Sequence, residues 1–362
     1  MAERRSGAAA SHAPPTAAEL DALGRAVQLA VNRAGTVLPN PVVGCALLDA
    51  AGRIVGEGYH AEVGGPHAEV VALRAAGENS RGATAVVTLE PCNHTGRTGP
   101  CSQALIDAGV ARVIVAVRDP WPPAAGGIEQ LLASGVDVLD LSEQRLSADA
   151  RLVNRVWLTA TRLHRPFVTF KAGTTIDGRV AAVDGSSRWI TSTESRADGH
   201  RLRSEVDTMM VGVGTVLADD PQLTARSADG AAMARQPLRV VVDSTGKTPL
   251  KARVLDDAAE TLVATAAEFG AVAAGVDLDA LLTALYQQGK RHVLLEGGPR
   301  LAASMLDAEL VDEVVIYLAP LLLGAGQSVM DGGSVSTLVD AHRFELMDVT
   351  RFGPDLRVRW TR

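Results

Sequence analysis

Aromatic side chains are scarce: five Phe, three Tyr and four Trp, 3% of 362 residues. The interior must therefore be built from Val, Leu, Ile and Ala. A surface that stacks successive nucleic-acid bases on aromatic rings lacks its material. Net positive charge is also missing, since the formal charge is −7 at pH 7. Long-range repulsion then works against a nucleic-acid partner, leaving only a local basic groove for such a role. No apolar run approaches the roughly 18 residues that span a bilayer, so no membrane partner is expected. Cysteine is rare, and the three present, Cys45, Cys92 and Cys101, cannot all pair within the chain. Reduced thiols and a cytoplasmic location follow as expectations. Residues 1–18 are rich in Ala, Pro and Ser but contain no apolar h-region. They are expected to form a disordered tail rather than a secretory signal.

What is present reads as an ordinary globular α/β chain, long enough for about two domains at roughly 150 residues each. Thr16-Ala-Ala-Glu19 has the form of a capping box opening a helix over Ala17–Ala34, with Leu20, Leu23, Val27, Ala30 and Val31 as its apolar stripe. A hairpin is expected from Val42–Asp49 and Arg53–Gly58. Helices near Ala68–Ala76, Ser102–Ala108 and Ile128–Ser134 then alternate with strands Ala83–Leu89, Arg112–Val117 and Val136–Leu139. That rhythm implies a mostly parallel sheet flanked by helices. Ser142–Leu163 reads as one long helix stopped by Arg165-Pro166, which places a domain boundary near residue 164. The second half repeats the rhythm, with strands at Phe167–Lys171, Thr208–Val213, Leu238–Asp243, Thr261–Ala264, His292–Leu295 and Glu313–Leu318. Helices fall around Glu194–Glu205, Leu278–Gln288 and Leu301–Ala308, and two strands close the chain. The polar stretches Lys171–Trp189 and Ala225–Gln236 suit ligand-binding connections.

One group of residues carries metal chemistry. His67-Ala68-Glu69 begins a helix, Pro91-Cys92 follows a strand, and Cys101 opens another helix. One imidazole and two thiolates suit a tetrahedral zinc whose fourth position stays open for water. Such a metal lowers the water's pKa towards roughly 7. Hydrolytic loss of an amine also needs a proton carrier, and Glu69 is placed for it. The order resembles the zinc-dependent cytidine-deaminase superfamily, whose signature is H-x-E followed by P-C-x-x-C. Here eight residues, Asn93 to Pro100, separate the two cysteines, so a polar loop is expected at the mouth of the site. Cys45 lies in an apolar strand and is assigned to core packing. Asn40, in Pro39-Asn-Pro-Val-Val-Gly44, is either part of a rigid turn or a reader of a base edge or ribose. His60 and His94 either hold a phosphate or ring substituent or are solvated loop residues.

A second group lies downstream. Glu296-Gly297-Gly298-Pro299 runs from a strand into a helix, where backbone N–H groups and the helix start favour a phosphate. Gly212-Val-Gly214 is not the full dinucleotide fingerprint, because Leu217 stands at the third glycine position. Chemistry alone leaves this site open.

Taken in order, Pro39-Asn-Pro-Val-Val-Gly44, Pro91-Cys-Asn-His-Thr-Gly-Arg-Thr-Gly-Pro-Cys101, Asp177-Gly-Arg179, Trp189-Ile-Thr191, Gly212-Val-Gly-Thr-Val-Leu-Ala-Asp-Asp-Pro221 and Glu296-Gly-Gly-Pro299 resemble the bifunctional deaminase–reductases of riboflavin biosynthesis. The resemblance runs from Leu20 to Trp360. It implies a cytidine-deaminase-like α/β/α sandwich over 19–164 and a dihydrofolate-reductase-like α/β domain over 165–362. The first would remove an amine from a diaminopyrimidinone ribosylamine 5′-phosphate using Zn2+, with His67, Cys92 and Cys101 as ligands and Glu69 as proton shuttle. The second would use NADPH to reduce the ribosyl group to a ribityl chain. Its implied cofactor contacts are Gly173, Trp189, Thr215, Asp219, Ser244 and the run Gly298, Pro299, Arg300, Leu301, Ala302, Ala303 and Ser304. Its implied substrate contacts are Ser187, Arg203, Leu223, Arg226 and Glu296, with Arg203 and Arg226 suited to phosphate by their bidentate fork. Deaminase substrate contacts are expected at Asn40, His60, His94 and Asp119, and a homo-oligomer is implied.

Trp121 departs from the family, which usually has Asn there. The indole either stacks on the pyrimidine or weakens its recognition. A reductase with an impaired deaminase, and a nucleoside or nucleic-acid deaminase, are therefore the alternative readings.

Overall fold

A computed structural model describes residues 13–31, 35, 37–94, 99–227, 230–272 and 275–362. The chain divides into two compact units, Met1–Arg162 and Leu163–Arg362. The greater part of the expected tail, and the last turn of the helix expected to reach Ala34, lie outside the described residues.

In the first unit the capping box forms as a reciprocal pair. Glu19 N–H donates to Thr16 Oγ1 at 3.2 Å and Thr16 N–H to Glu19 Oε2 at 2.7 Å. Helix α1 follows over Ala17–Val31. Strands β1 (Gly44–Leu48) and β2 (Ile54–Tyr59) make the hairpin. Then come α2 (Ala68–Ala76), β3 (Thr84–Val87), α3 (Cys101–Asp107), β4 (Arg112–Val115), α4 (Gly127–Ala133) and β5 (Asp137–Asp140). The sheet order is β2-β1-β3-β4-β5, with β1 antiparallel to both neighbours and the rest parallel.

Strand alternation sorts β1 between two cores. Cys45 and Leu47 pack with Ala68, Ala72, Leu105 and Leu131 of α2, α3 and α4. Ala46 and Leu48 pack on the opposite face with Ala22, Leu23 and Leu158. The result is an α/β/α sandwich. Cys45 is fully buried, and burial pushes its thiol well above the usual range, as fits a packing residue.

The single helix expected over Ser142–Leu163 is instead broken into α5 (Ala148–Val153) and α6 (Arg155–Leu163) after a short turn of 3-10 helix. Asn154 is the reason. Its carboxamide binds Val42 twice, accepting from Val42 N–H at 3.0 Å and donating to Val42 C=O at 2.7 Å. A buried side chain that satisfies another segment's backbone outweighs one turn of helix.

The second unit contains β6 (Phe167–Thr175), β7 (Arg179–Ala181), α7 (Thr193–Glu205), β8 (Thr208–Gly212), α8 (Val213–Asp219), β9 (Leu238–Val242), β10 (Thr261–Ala264) and α9 (Ala266–Phe269). It continues with β11 (Ala271–Val272), β12 (Gly275–Val276), α10 (Leu278–Gln287), β13 (His292–Glu296), α11 (Pro299–Asp307), β14 (Glu313–Ala319), β15 (Gln327–Ser328), β16 (Glu345–Phe352) and β17 (Asp355–Thr361). Eight strands form one sheet in the order β10-β9-β8-β13-β6-β14-β17-β16, parallel from β10 through β14 and antiparallel beyond. Helices α10 and α11 cover one face through Leu281, Leu285, Leu301 and Met305. Leu202 of α7 and Val216 of α8 cover the other.

Two expectations needed adjusting here. Helix α8 occupies a stretch read only as glycine-rich, and β6 runs on to Thr175 because Ala319 of β14 pairs with it there. The carboxyl ends of β8, β9 and β13 meet on one side of this sheet, the position where parallel α/β sheets take their ligands.

Candidate active sites

Three sequence-distant elements deliver the first site. His67 stands at the N-cap of α2, Cys101 is the first residue of α3, and Cys92 lies between β3 and α3. His67 Nδ1 is 3.5 Å from Cys92 Sγ and 3.2 Å from Cys101 Sγ. The three ligand atoms all lie within 4.8 Å of one another, a geometry that could hold a metal ion. Their electrostatics point the same way. The Cys92 thiol is held low, first by its hydrogen bond with Cys101 and further by His67. The Cys101 thiol is driven far up by the same partnership and by burial. A second thiolate cannot form beside the first until a cation compensates it, so the donor set fits Zn2+.

Glu69 is in the first turn of α2 and only 3% exposed. Burial, then the charge of Cys92, lifts its carboxyl to about 7. Asn40 and His60 come together behind the ligands. Asn40 Nδ2 and His60 Nε2 are 3.1 Å apart, and His60 Nδ1 faces the Pro66 carbonyl at 3.2 Å. The carbonyl can only accept, so Nδ1 carries the proton and Nε2 accepts from Asn40. His60 is 4% exposed, with its ring edge-on to His67 at 5.4 Å, so it is not a solvated loop residue. His94 lies edge-on to Trp121 at 5.7 Å, and its Nδ1 is buried without a hydrogen-bond partner. The Trp121 indole is 42% exposed. Asp119 accepts from Trp121 N–H at 2.7 Å, and burial lifts its carboxyl to about 6. Of the loop between the cysteines, residues 95–98 lie outside the described residues.

The second site is a cavity of about 990 Å3. Ser187, Thr215, Asp219, Ser244, Gly298, Pro299, Arg300, Leu301 and Ser304 line it, as do Gly212 and Gly297. Gly298 is the N-cap of α11 at φ 76°, and Pro299 is its first residue. A Cβ on Gly297 (φ 73°) would stand 3.2 Å from Thr215 Oγ1, so glycine lets this turn close against α8. Bare backbone at a helix start and a cavity of this volume fit a dinucleotide.

Ala302 and Ala303 do not present side chains to this cavity. Both are buried, so any contact from them is through the main chain. Gly173 lies within β6, where a Cβ would meet Thr191 Cγ2 at 2.9 Å. Trp189 is 67% exposed, with the Arg196 guanidinium 4.4 Å from its ring centre.

Arg203, expected to meet the substrate phosphate, stands against a carboxylate. Its Nε and Nη2 are bound to Glu296 at 2.9 and 2.6 Å, so the fork is already filled by a carboxylate. Burial alone would raise the Glu296 carboxyl, but Arg203 and Lys171 outweigh it and bring it to about 2. Among the described residues Arg226 is bound by neutral groups, Thr224 Oγ1 at 3.2 Å, the Gly230 carbonyl at 3.4 Å and Gln222 Oε1. No described carboxylate pairs with it. Leu223 is buried beside it with φ 55°.

Comparison with known proteins settles the family. The cytidine and deoxycytidylate deaminase zinc-binding region matches residues 19–117, and the RibD C-terminal domain matches residues 166–358. The chain is 46% identical to the riboflavin biosynthesis protein RibD of Mycobacterium tuberculosis over 93% of this chain and 95% of that one.

The chain belongs to the RibD family.

It is 40% identical to RibD of Escherichia coli, covering 92% of this chain and 96% of that protein. A crystal structure from Thermotoga maritima superposes with a TM-score of 0.83 at 33% identity, covering 95% and 98% of the two chains. That protein is described as a diaminohydroxyphosphoribosylaminopyrimidine deaminase and 5-amino-6-(5-phosphoribosylamino)uracil reductase. Membership makes this chain a bifunctional enzyme of riboflavin biosynthesis, a zinc-dependent deaminase joined to an NADPH-dependent reductase. A nucleoside or nucleic-acid deaminase is not favoured, because a RibD reductase domain fills the second half.

Sequence reading missed Glu90. This residue is 4% exposed and accepts from Gly126 N–H (3.1 Å) and Ile128 N–H (3.2 Å) on Oε1, and from Asp119 N–H (3.1 Å) on Oε2. One carboxylate thus ties the start of α4 and the Asp119 turn to the segment that carries Cys92. A glutamate just before Pro91-Cys92 gives no spacing signal, since its partners are all backbone. Also missed were Lys171, 4.0 Å from Glu296, and His200, whose Nδ1 is buried without a hydrogen-bond partner.

Proposed function

We propose that His67, Cys92 and Cys101 hold the zinc and that Glu69 is the proton carrier of the deaminase. The convergence of three ligand atoms beside one buried carboxyl is the observation that supports this reading most strongly. The substrate is a diaminopyrimidinone ribosylamine 5′-phosphate, as the description of the Thermotoga relative suggests. Zinc bound there supplies a Lewis acid that acidifies water. Glu69 would take one proton from the attacking water on a carboxylate oxygen and deliver it to the amine nitrogen; the water oxygen bonds to the ring carbon, the carbon–nitrogen bond breaks to release ammonia, and the water's other proton ends on the adjacent ring nitrogen as the carbonyl forms. Asn40, oriented by His60, together with His94 and Asp119, positions the ring and its phosphate.

In the second unit, Gly298 and the start of α11 cradle the dinucleotide phosphate, with Thr215, Asp219 and Ser244 along the cavity and Trp189 and Gly173 beside it. NADPH supplies the hydride that reduces C1′ of the ribosyl group. Arg226 holds the substrate phosphate, and Ser187 and Leu223 shape its pocket. Glu296 keeps Arg203 and Lys171 at fixed positions beside the sugar. We place the enzyme in the cytoplasm as a homo-oligomer with no nucleic-acid or membrane partner. Three unpaired thiols favour the reducing compartment and the acidic net charge disfavours a nucleic-acid partner; among the described residues no helix is long and apolar enough to cross a membrane.

Elemental analysis tests the metal site. Wild type should carry about one zinc per chain and Cys92→Ser almost none. Equal and negligible zinc in both proteins would remove the site.

A further inference from the structure

Arg226 holds the substrate phosphate in the reading above, and residues distant in the chain set its orientation. The segment that carries it, residues 220–226, has two non-glycine residues in the left-handed region, Asp220 at φ 42° and Leu223 at φ 55°. Such a backbone persists only where its surroundings hold it. Gln222 lies between the two.

The holding starts at Arg239 in β9, which is fully buried. Its Nε donates to Thr261 Oγ1 at 2.8 Å, and its Nη1 to Asp256 Oδ1 at 2.7 Å and the Gln222 carbonyl at 3.2 Å. Its Nη2 donates to the carbonyls of Asp256 and Ala259. The guanidinium therefore finds acceptors for its whole fork of donors. Asp256 passes the contact on. Its carboxyl is held below the usual range, first by the hydrogen bond with Arg239 and also by Gln222. Its Oδ2 accepts from Gln222 Nε2 at 2.5 Å, and Gln222 Oε1 accepts from Arg226 Nη2. The neighbours decide which way this carboxamide points, because a carboxylate only accepts and a guanidinium only donates. The backbone on either side is pinned as well. Gln236 accepts from Ala225 N–H at 2.8 Å and donates to Ala225 C=O at 2.9 Å, and Arg253 N–H donates to Asp220 Oδ1 at 2.8 Å.

The two arginines of this region are thus held by different chemistry. Glu296 grips Arg203 with a carboxylate, and Gln222 grips Arg226 with a neutral oxygen. We infer that Gln222 is a positioning residue for the reductase substrate: anchored through Asp256 on Arg239, it aims the Arg226 guanidinium at the substrate phosphate without supplying a competing negative charge. The inference rests on the reading of Arg226 as the phosphate holder.

Steady-state reductase kinetics of the full-length protein test it, with the deaminated substrate and with the same molecule lacking its phosphate. Gln222→Met keeps the length of the side chain and removes both hydrogen bonds. It should raise KM for the phosphorylated substrate about ten-fold, with kcat within about three-fold and KM for the phosphate-free molecule unchanged. Gln222→Glu should raise the first KM further, because a carboxylate there competes with the phosphate for the same fork. NADPH affinity should stay within about two-fold in both, since Gln222, Asp256 and Arg239 stand outside the lining of the dinucleotide cavity. A wild-type KM in Gln222→Met or in Gln222→Glu, or equal losses for the two substrates, would overturn the relay. So would a matching loss of NADPH affinity, which would make Gln222 a general support of the fold. Arg226→Ala separates the two readings. If it kept the preference for the phosphorylated substrate, the phosphate role of Arg226 would fall and the relay with it. If it lost that preference while Gln222→Met kept it, the relay alone would fall.

Discussion

Glu90 offers the sharpest test of how the fold holds the deaminase site. It touches no substrate in this account, yet three backbone N–H groups from two segments converge on its carboxylate. Glu90→Gln keeps an oxygen for Gly126 and Ile128 but turns an NH2 towards Asp119 N–H. One charge-assisted bond is lost and two donors face each other, a cost of about 2 kcal/mol. Glu90→Ala strands all three donors in a buried position and should cost roughly 4 kcal/mol or more. Calorimetric melting of the full chain reads the loss as a lowered transition for the first unit. Ammonia release should fall about ten-fold in the Gln variant as Asp119 shifts. NADPH oxidation with the deaminated substrate should be untouched. If Glu90→Ala melted within about 0.5 kcal/mol of wild type and kept its ammonia release, the carboxylate would not be holding the site together.

Gly127→Ala probes the same junction from the other side. A Cβ there would stand 1.8 Å from the Pro91 carbonyl oxygen, so destabilisation of about 3 kcal/mol and reduced zinc content are expected by melting and elemental analysis. Glu296 sets a pH dependence. Its carboxyl is depressed to about 2 from an ordinary 4.5, so its pairing stabilises the second unit above that ordinary value and is lost as pH falls from there through about 2. The stability gap between wild type and Glu296→Gln, of order 3 kcal/mol at neutral pH, should close across that window, and a constant gap would contradict it. Trp121→Asn should leave deaminase kcat/KM within a few-fold of wild type, and a large gain would identify the indole as a lesion.

The sequence made the main framework legible where the signal was periodic or local. The capping box at Thr16–Glu19, the hairpin after Val42 and the alternation of helices and strands depend on residues within a few positions of each other. The helix broken at Asn154 was not legible, because its cause is a hydrogen-bond partner 112 residues away. The same limit hid Glu90. It also hid the neutralisation of Arg203, whose partner Glu296 is 93 residues on. Helix α8 escaped because Gly212 stands at its N-cap and Gly214 within its first turn, in a helix only seven residues long. Zinc ligands were easier to see, since H-x-E and the cysteine pair restrict residue type as well as order.

The account stands most directly on one paired assay. Purified zinc-loaded enzyme is given the aminopyrimidine phosphate and its ammonia release followed, and NADPH oxidation is followed separately with the deaminated product. Glu69→Gln should abolish the first activity, because the carboxamide keeps the shape but carries no proton, and should leave the second intact. Ammonia release persisting at the wild-type rate in Glu69→Gln would contradict the assigned chemistry.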